Sequence, residues 1–401
     1  MNIKFRNFRP LARPKLVLNN PSFLRDRRVE AVLFLIGFVV LMGFLGMTMG
    51  TKNLLNSIMQ TAFELLTHTV FFIMAITVLT GALAKLFIEF GVMRLIEFLL
   101  RPLMRPIYNL PGMTALAAVI TFFSDNPAIM SLAKDKSFRS CLTDRELVSM
   151  ANFGTSMGMG LIVITFMSSL GYFNSAIIGF FGAMFGGVVA TRLMQFFTRK
   201  DFTAPTPEEL QAIQDEGKKQ LSFKSQGSVF ERFLNAILDG GKTGVDLGLS
   251  IIPGVLIIST FITIITFGPK DPVAGYQGLA GEGVPILTWL AGKIGFVFEY
   301  LFGFESPSLI AFPVTSLGSV GAALSLIPRF ISEGVLGGNE VAVFTAIGMC
   351  WSGFLSTYAA MFDSIGFRKL TSKALLAQTL GGISAGIFAH LLFLLISVIL
   401  S

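Results

Sequence analysis

Apolar residues recur along this chain in runs of helical-span length, separated by short polar stretches in which Lys and Arg collect. Ala31 to Met47, Val70 to Phe87, Leu247 to Phe267 and Lys373 to Leu400 are examples. Crossing about 30 Å of hydrocarbon takes around 20 helical residues, so each such run is long enough to span a bilayer. The pattern predicts an all-α polytopic membrane protein with about seven full spans. They fall near 30–49, 62–88, 147–169, 173–196, 247–267, 345–366 and 373–400, with TKNLLNS after the first read as an outer loop.

One stretch breaks the pattern. TFFSDNPAIMSLAKD (Thr121 to Asp135) sets Ser-Asp-Asn-Pro in the middle of an apolar run. Pro127 removes a backbone donor and disfavours helix at Asn126. Each arm beside the break is about ten residues, or about 15 Å of helix, half a bilayer. Basic residues flank both ends: Lys85, Arg94, Arg101 and Arg105 before, Lys134, Lys136, Arg139 and Arg145 after. Lys and Arg stay on the cytoplasmic side, so Pro111–Lys134 reads as a hairpin that enters and leaves on one face. A single kinked helix is the alternative, and it would put those loops on opposite sides. VMRLIEFLLRPLMRPIY (Val92 to Tyr108) alternates apolar and basic positions, as an interfacial helix does.

The chain then begins again. YNLPGMTALAAVITFFSDN matches FGFESPSLIAFPVTSLGSV, aligning Pro111 with Pro307. MANFGTSMGMGLIVITFMSSLG matches TAIGMCWSGFLSTYAAMFDSIG, aligning Gly158 with Gly353 and Ser169 with Ser364; further upstream, Thr61 and Glu64 align with Thr243 and Asp246. G-x-x-x-G recurs at Gly182/Gly186 and Gly382/Gly386, a spacing that lets helices approach closely. The expected organisation is a basic cytoplasmic segment (1–29), an extra span (30–49), a first repeat (60–197), a linker with an amphipathic helix (198–242) and a second repeat (243–401). Three full crossings in the first unit start the second from the opposite side, so the repeats are inverted. Transporters built this way carry their substrate site near the midplane, at the repeat interface.

Polar groups at membrane depth are tolerated only inside protein or against water. The candidate site therefore gathers Ser124, Asp125 and Asn126 at the first tip with Asn152, Thr155 and Ser156 on the following span. The second unit offers Thr315, Ser316 and Ser319 with Ser352, Ser356 and Thr357. Such a set of donors and acceptors suits a small polar solute or a small cation. Each has a plainer reading: Ser and Thr in membrane helices bond back to their own carbonyls or glue helices together. Asp125 stands apart, since an intramembrane carboxylate marks a functional site by default; its plain alternative is an N-cap. His68 and His390 read as packing or interfacial residues, as do Glu299 and Glu305. Glu64 and Asp246 are either solvated or proton-coupling.

Composition agrees. Of 401 residues 53% are hydrophobic and 14% charged, too few to cover a water-facing surface. The formal charge of +7 sits in loops, with eight Lys and Arg ahead of the first span, which argues against nucleic-acid binding and places the N-terminus inside. That first segment is too long and polar to read as a cleaved signal peptide. Two cysteines without CxxC give no thiolate site. No Ser/His/Asp set, HExxH, Walker A or GxGxxG motif occurs, so nothing points to an enzyme or a resident cofactor.

The unit RPLMRPIYNLPGMTALAAVITFFSDNPAIMSLAKD, followed by LTDRELVSMANFGTSMG, resembles the nucleoside recognition, or Gate, domain of spore maturation proteins and ferrous-iron permeases, and more distantly of concentrative nucleoside transporters. The resemblance covers about residues 60–197 and, more weakly, 243–400. It implies hairpin tips and unwound following helices that bind base and ribose, with Na+ or H+ as coupling ion. The chain departs from those transporters at Met150-Ala151-Asn152-Phe153, where no acid follows the Asn, and at a second tip without an amide. The expected protein is an ion-coupled transporter of a small polar solute, a nucleoside first, in the bacterial inner membrane. Its partners are lipid and, through helices near 92–108 and 284–303, further copies of itself. A non-transporting component of envelope or spore-coat assembly is the rival.

Overall fold

The computed structural model describes residues 27–126, 128–134, 136–202 and 228–400. Most of the basic N-terminal segment, the linker at 203–227 with its expected amphipathic helix, and Pro127 lie outside the described residues. In chain order the elements are α1 (Arg28–Met49), α2 (Thr51–Glu89), α3 (Val92–Tyr108), the short arms α4 (Gly112–Phe123) and α5 (Ala128–Lys134), α6 (Asp144–Ser169), α7 (Phe173–Phe197) and α8 (Val229–Thr266). Then come α9 (Ile286–Lys293), α10 (Gly295–Phe302), the arms α11 (Pro307–Gly318) and α12 (Val320–Ser332), α13 (Gly338–Ser364) and α14 (Arg368–Ile399). Seven of these are long and apolar enough to cross a membrane: α1, α2, α6, α7, α8, α13 and α14. The protein is an all-helical, multi-pass membrane protein.

Local sequence sets the helix starts. Thr143 and Glu146 form a capping box at the head of α6, as Ser228 and Glu231 do for α8. TKNLLNS is helix rather than an outer loop. Gly50, at φ 83°, separates α1 from α2 in a single residue, and α2 begins at Thr51. Likewise residues 229–242, read as linker, are the first turns of α8, and the boundary at 242/243 falls inside that helix. Between α3 and α4 the chain turns by 111° at Asn109 and Pro111.

The hairpin doubles back. Ala117 of α4 and Ile129 of α5 are twelve residues apart, about 18 Å on one continuous helix. Yet a methyl group at Gly154 would sit 3.7 Å from Ala117 Cβ and 2.6 Å from Ile129 Cδ1. In the second unit Phe312 of α11 and Val320 of α12 likewise meet at Gly348. The kinked single helix is thereby excluded.

Equivalent helices of the two units pair antiparallel. Along α2 and α8, Met74 meets Gly248, Thr77 meets Gly244 and Gly81 meets Gly240, one index rising as the other falls. Along α7 and α14, Gly182 meets Ala385 and Ala389, while Gly186 meets Gly381 and Ala385. The expected G-x-x-x-G helices do pack on each other. Both α2 and α8 carry a π-helical segment, Leu65–Val70 and Gly254–Ser259. The upstream alignment was out of step: Thr61 lies one turn before its π segment and Thr243 three turns before its own.

The loop between α8 and α9 is built around Glu282, which is fully buried. Its carboxylate accepts from the N–H groups of Gln277 (3.0 Å), Gly278 (2.8 Å) and Leu279 (3.0 Å). Burial and this neighbouring carboxylate push the Tyr276 phenol above its usual 10. Two further bonds seat the loop on α2: Gly281 N–H to Thr61 Oγ1 (2.8 Å) and Asn53 Nδ2 to the Tyr276 carbonyl (2.8 Å). Glu282→Ala leaves three donors, one buried and two part-buried, without their acceptor. If about 2 kcal/mol of loop stability is lost, trypsin cleavage after Lys270 is expected to accelerate roughly thirty-fold by mass action on the open state. An unchanged rate would show that Thr61 and Asn53 hold the loop alone.

Candidate functional site

Both post-hairpin spans are interrupted at matched places. Helix α6 breaks over residues 156–159, and α13 at Ser352 and Gly353. Met159 (φ 52°) and Ser352 (φ 40°) hold left-handed backbone that non-glycine residues rarely adopt. Strain of this kind persists only where surroundings over-determine it, and it gathers at working sites. Here the surroundings are visible. The Thr121 carbonyl of α4 accepts from Met159 N–H (3.1 Å), and the Ser316 carbonyl of α11 accepts from Gly353 N–H (3.0 Å). Each hairpin thus satisfies a donor that the break beside it frees. The offset that aligns Gly158 with Gly353 also aligns Thr121 with Ser316, while the donors, Met159 and Gly353, differ by one position, so each unit makes a comparable hairpin-to-break bond.

The first tip reaches across to the other unit. Asn126 Nδ2 donates to the Ser352 carbonyl at 2.8 Å, and Ser352 Oγ donates to Asp125 Oδ1 at 3.3 Å. The same Asp125 oxygen accepts the N–H of Asn126 at 2.7 Å. A capping role alone would not need the Ser352 contact. Asn126 is wholly buried, and its Oδ1 has no hydrogen-bond partner among the described residues. A methyl group at Gly158 would overlap that oxygen and Ser352 Oγ together, so glycine is what lets the broken span come this close. Asp125, Asn126 and Ser352 therefore bring carboxylate, amide and hydroxyl oxygens to one point.

Asn152 and Ser156 belong to a second, deeper cluster. Asn152 Nδ2 donates to Gln378 Oε1 (2.9 Å) and the Ala374 carbonyl (3.0 Å); Ser156 Oγ accepts from Gln378 Nε2 (3.0 Å). The remaining candidates spend their hydroxyls on their own helices. Ser124 bonds Ile120, Thr155 bonds Ala151, Thr315 bonds Ala311, Ser316 bonds Pro313, and Ser356 and Thr357 both bond Gly353. Ser319 caps α12 through Ala322 N–H (3.2 Å) and lies against Gly254 in the π segment of α8. The plainer reading of membrane Ser and Thr describes their hydrogen bonding well. Ser356 is in addition exposed.

Gln378 was missed by reasoning from the sequence. It is the one amide side chain in the last span, in KALLAQTLGG, and that was the available signal. Other candidates lie elsewhere. His390 Nδ1 is 2.8 Å from Asn339 Oδ1 in a packing contact, and His68 sits in the π segment of α2. Glu64 and Asp246 are exposed on their helices. Among the described residues no group of three His, Cys, Asp or Glu is placed to hold a metal ion.

No protein-family model matches the chain, and neither does any curated protein. Solved structures do. CNTnw, a concentrative nucleoside transporter, in an inward-facing substrate-bound state aligns with a TM-score of 0.54 and 15% identity, over 93% of this chain and 87% of that one. A double variant of CNTnw in an outward-facing state gives 0.54 and 14%, over 94% and 88%. A second outward-facing double variant gives 0.51 and 14% over the same shares. At such identities the likeness concerns architecture. The chain has a concentrative nucleoside transporter-like fold.

Proposed function

We propose that the protein is an ion-coupled secondary transporter of a small polar solute, a nucleoside first, working by alternating access at the interface of two inverted Gate-type repeats. The observation that carries this reading is the tip-to-break junction: Asn126 and Asp125 of one unit bonded to Ser352 of the other, with an unpaired buried oxygen on Asn126. An orphan acceptor in a dry interior costs about 1–3 kcal/mol, a cost that a bound cation or solute donor removes. Hard oxygen ligands around one carboxylate suit Na+ or a proton better than a soft metal. In this reading Thr155, Thr315, Ser316, Ser319 and Thr357, from the second hairpin and the two spans, complete the solute-binding surface. The similarity to a transporter solved in inward- and outward-facing states supports two accessible conformations on this scaffold. The bacterial inner membrane, with the basic N-terminus inside, is the expected setting.

The test is uptake by proteoliposomes. Radiolabelled uridine, adenosine, an amino acid and a dipeptide are offered under an inward Na+ gradient, an inward proton gradient, or neither. Accumulation of a nucleoside above its equilibrium level under one gradient is expected. Equilibration without accumulation would remove the coupling ion. No uptake of any solute, together with a partner that co-purifies stoichiometrically, would favour the assembly role instead.

A further inference from the structure

The second polar cluster centres on α14, which also supplies the Ala374 carbonyl to Asn152. Gln378 of α14 is fully buried. Its Nε2 donates to the Cys350 carbonyl at 2.6 Å and to Ser156 Oγ at 3.0 Å. Its Oε1 accepts from Asn152 Nδ2 at 2.9 Å and from Tyr358 OH at 2.8 Å. A primary amide offers two donors and two acceptor lone pairs, and all four are used. The Cys350 carbonyl can only accept, so the amide nitrogen must face it, which fixes the orientation of the whole group.

These partners are not scattered. Ser156 is the first residue of the break in α6, and Asn152 lies one turn before it. Cys350 and Tyr358 flank the break in α13 at Ser352 and Gly353. Carbonyls at a helix end lack their intrahelical donor, and the one at Cys350 takes its donor from Gln378. One side chain thus bonds both interrupted spans at once, each within a turn or two of its break. Fully satisfied buried networks rigidify and select one arrangement. We propose that Gln378 is a positioning residue: it fixes the separation of the two broken spans, and with it the width of the solute site, resting in this on the transport reading above. It touches neither Asp125 nor Asn126, and acts through Ser156 and Cys350.

The test uses a native reporter. The chain has two cysteines, and Cys350 is buried with its thiol 3.6 Å from Ser156 Oγ. In a Cys141→Ser background, the rate of N-ethylmaleimide labelling at Cys350 reports how often the spans separate. Gln378→Met keeps the volume and removes every hydrogen bond; Gln378→Glu keeps the acceptor oxygen and removes the donors. Each is expected to raise the labelling rate at least ten-fold. Gln195→Met, which removes another buried amide bonded instead to the Tyr108 and Asn109 carbonyls, is expected to leave it unchanged. Equal rates for Gln378→Met and the parent, or equal acceleration by Gln195→Met, overturn the proposal. Should the Gln378 variants fail to fold, Tyr358→Phe removes one bond and is expected to give about a three-fold rise; no rise overturns the proposal too. Uridine uptake separates positioning from mere packing: Gln378→Met should raise the half-saturating concentration at least five-fold and leave the maximal rate within two-fold. If the parent takes up none of the four solutes offered above, the transport reading fails, and the labelling rates still decide the role of Gln378.

Discussion

Asp125→Ala is expected to reduce gradient-driven uptake at least a hundred-fold, and Asn126→Leu to do the same, while Ser384→Ala stays within two-fold of the parent. Asp125 is the sole carboxylate of the tip-to-break junction, where its Oδ1 holds the Ser352 hydroxyl and the N–H of Asn126. Removing it deletes the charge that balances a cation and two hydrogen bonds together. Hydrogen bonds to charged groups contribute up to about 3 kcal/mol, a factor of roughly a hundred in affinity. Asn126→Leu is nearly isosteric and deletes the bond to the Ser352 carbonyl along with the unpaired Oδ1. Ser384 is half-buried and bonds its own Leu380 carbonyl, so it controls for the loss of any hydroxyl in the spans. The measurement is initial uptake at fixed protein density, with the thermal midpoint of each variant beside it. A variant that keeps both its midpoint and its uptake would separate the junction from transport.

How far the sequence led depends on whether each feature is local. The hairpin was legible because its causes lie within about twenty residues of the break: Ser-Asp-Asn-Pro itself, arms too short to cross, and basic residues at both ends. The inverted pairing was legible through Pro111/Pro307, Gly158/Gly353 and Ser169/Ser364. Pro111 and Pro307 open the two hairpins, Gly158 and Gly353 sit in the two breaks, and the two serines end the two helices. The breaks within α6 and α13 were not readable from those residues, since neither contains Pro. What unwinds them is tertiary: carbonyls of Thr121 and Ser316 that take N–H groups from Met159 and Gly353. Gly50 gave a one-residue break where a longer polar loop was expected, because positive φ is a property of one residue that periodicity does not register. Gln378 shows the limit most clearly. Its partners Ser156, Asn152, Cys350 and Tyr358 lie 20 to 226 positions away, so its importance is written in the packing and not in its neighbours.

The largest effect on stability is expected at a glycine that pattern reading passed over. Gly240, Gly244 and Gly248 form a stripe on α8 that lies directly on the backbone of α2. At Gly244 an added methyl would overlap the Thr77 carbonyl and Val78 Cα, and backbone in the middle of a helix cannot step aside. The same approach lets Thr77 Oγ1 donate to the Gly244 carbonyl at 2.7 Å, a bond that any widening of the pair would break. Small residues that admit such contact drive helix association in lipid, where burial of apolar surface contributes little. Gly244→Val therefore forces α2 and α8 apart, and overpacking of this sort costs about 3 kcal/mol or more. Gly241 supplies the internal control: its added methyl would meet only Val78 Cγ1, at an ordinary 3.7 Å. Gly241→Ala gains up to about 1 kcal/mol of helix propensity without a clash. The expected result is a thermal midpoint several degrees below the parent for Gly244→Val and at or above it for Gly241→Ala, read as monodisperse protein remaining after heating in detergent. Because α2 and α8 belong to opposite units, a low midpoint at Gly244 also means that the two repeats are held together along this seam; equal midpoints would move that task to the α7–α14 pair.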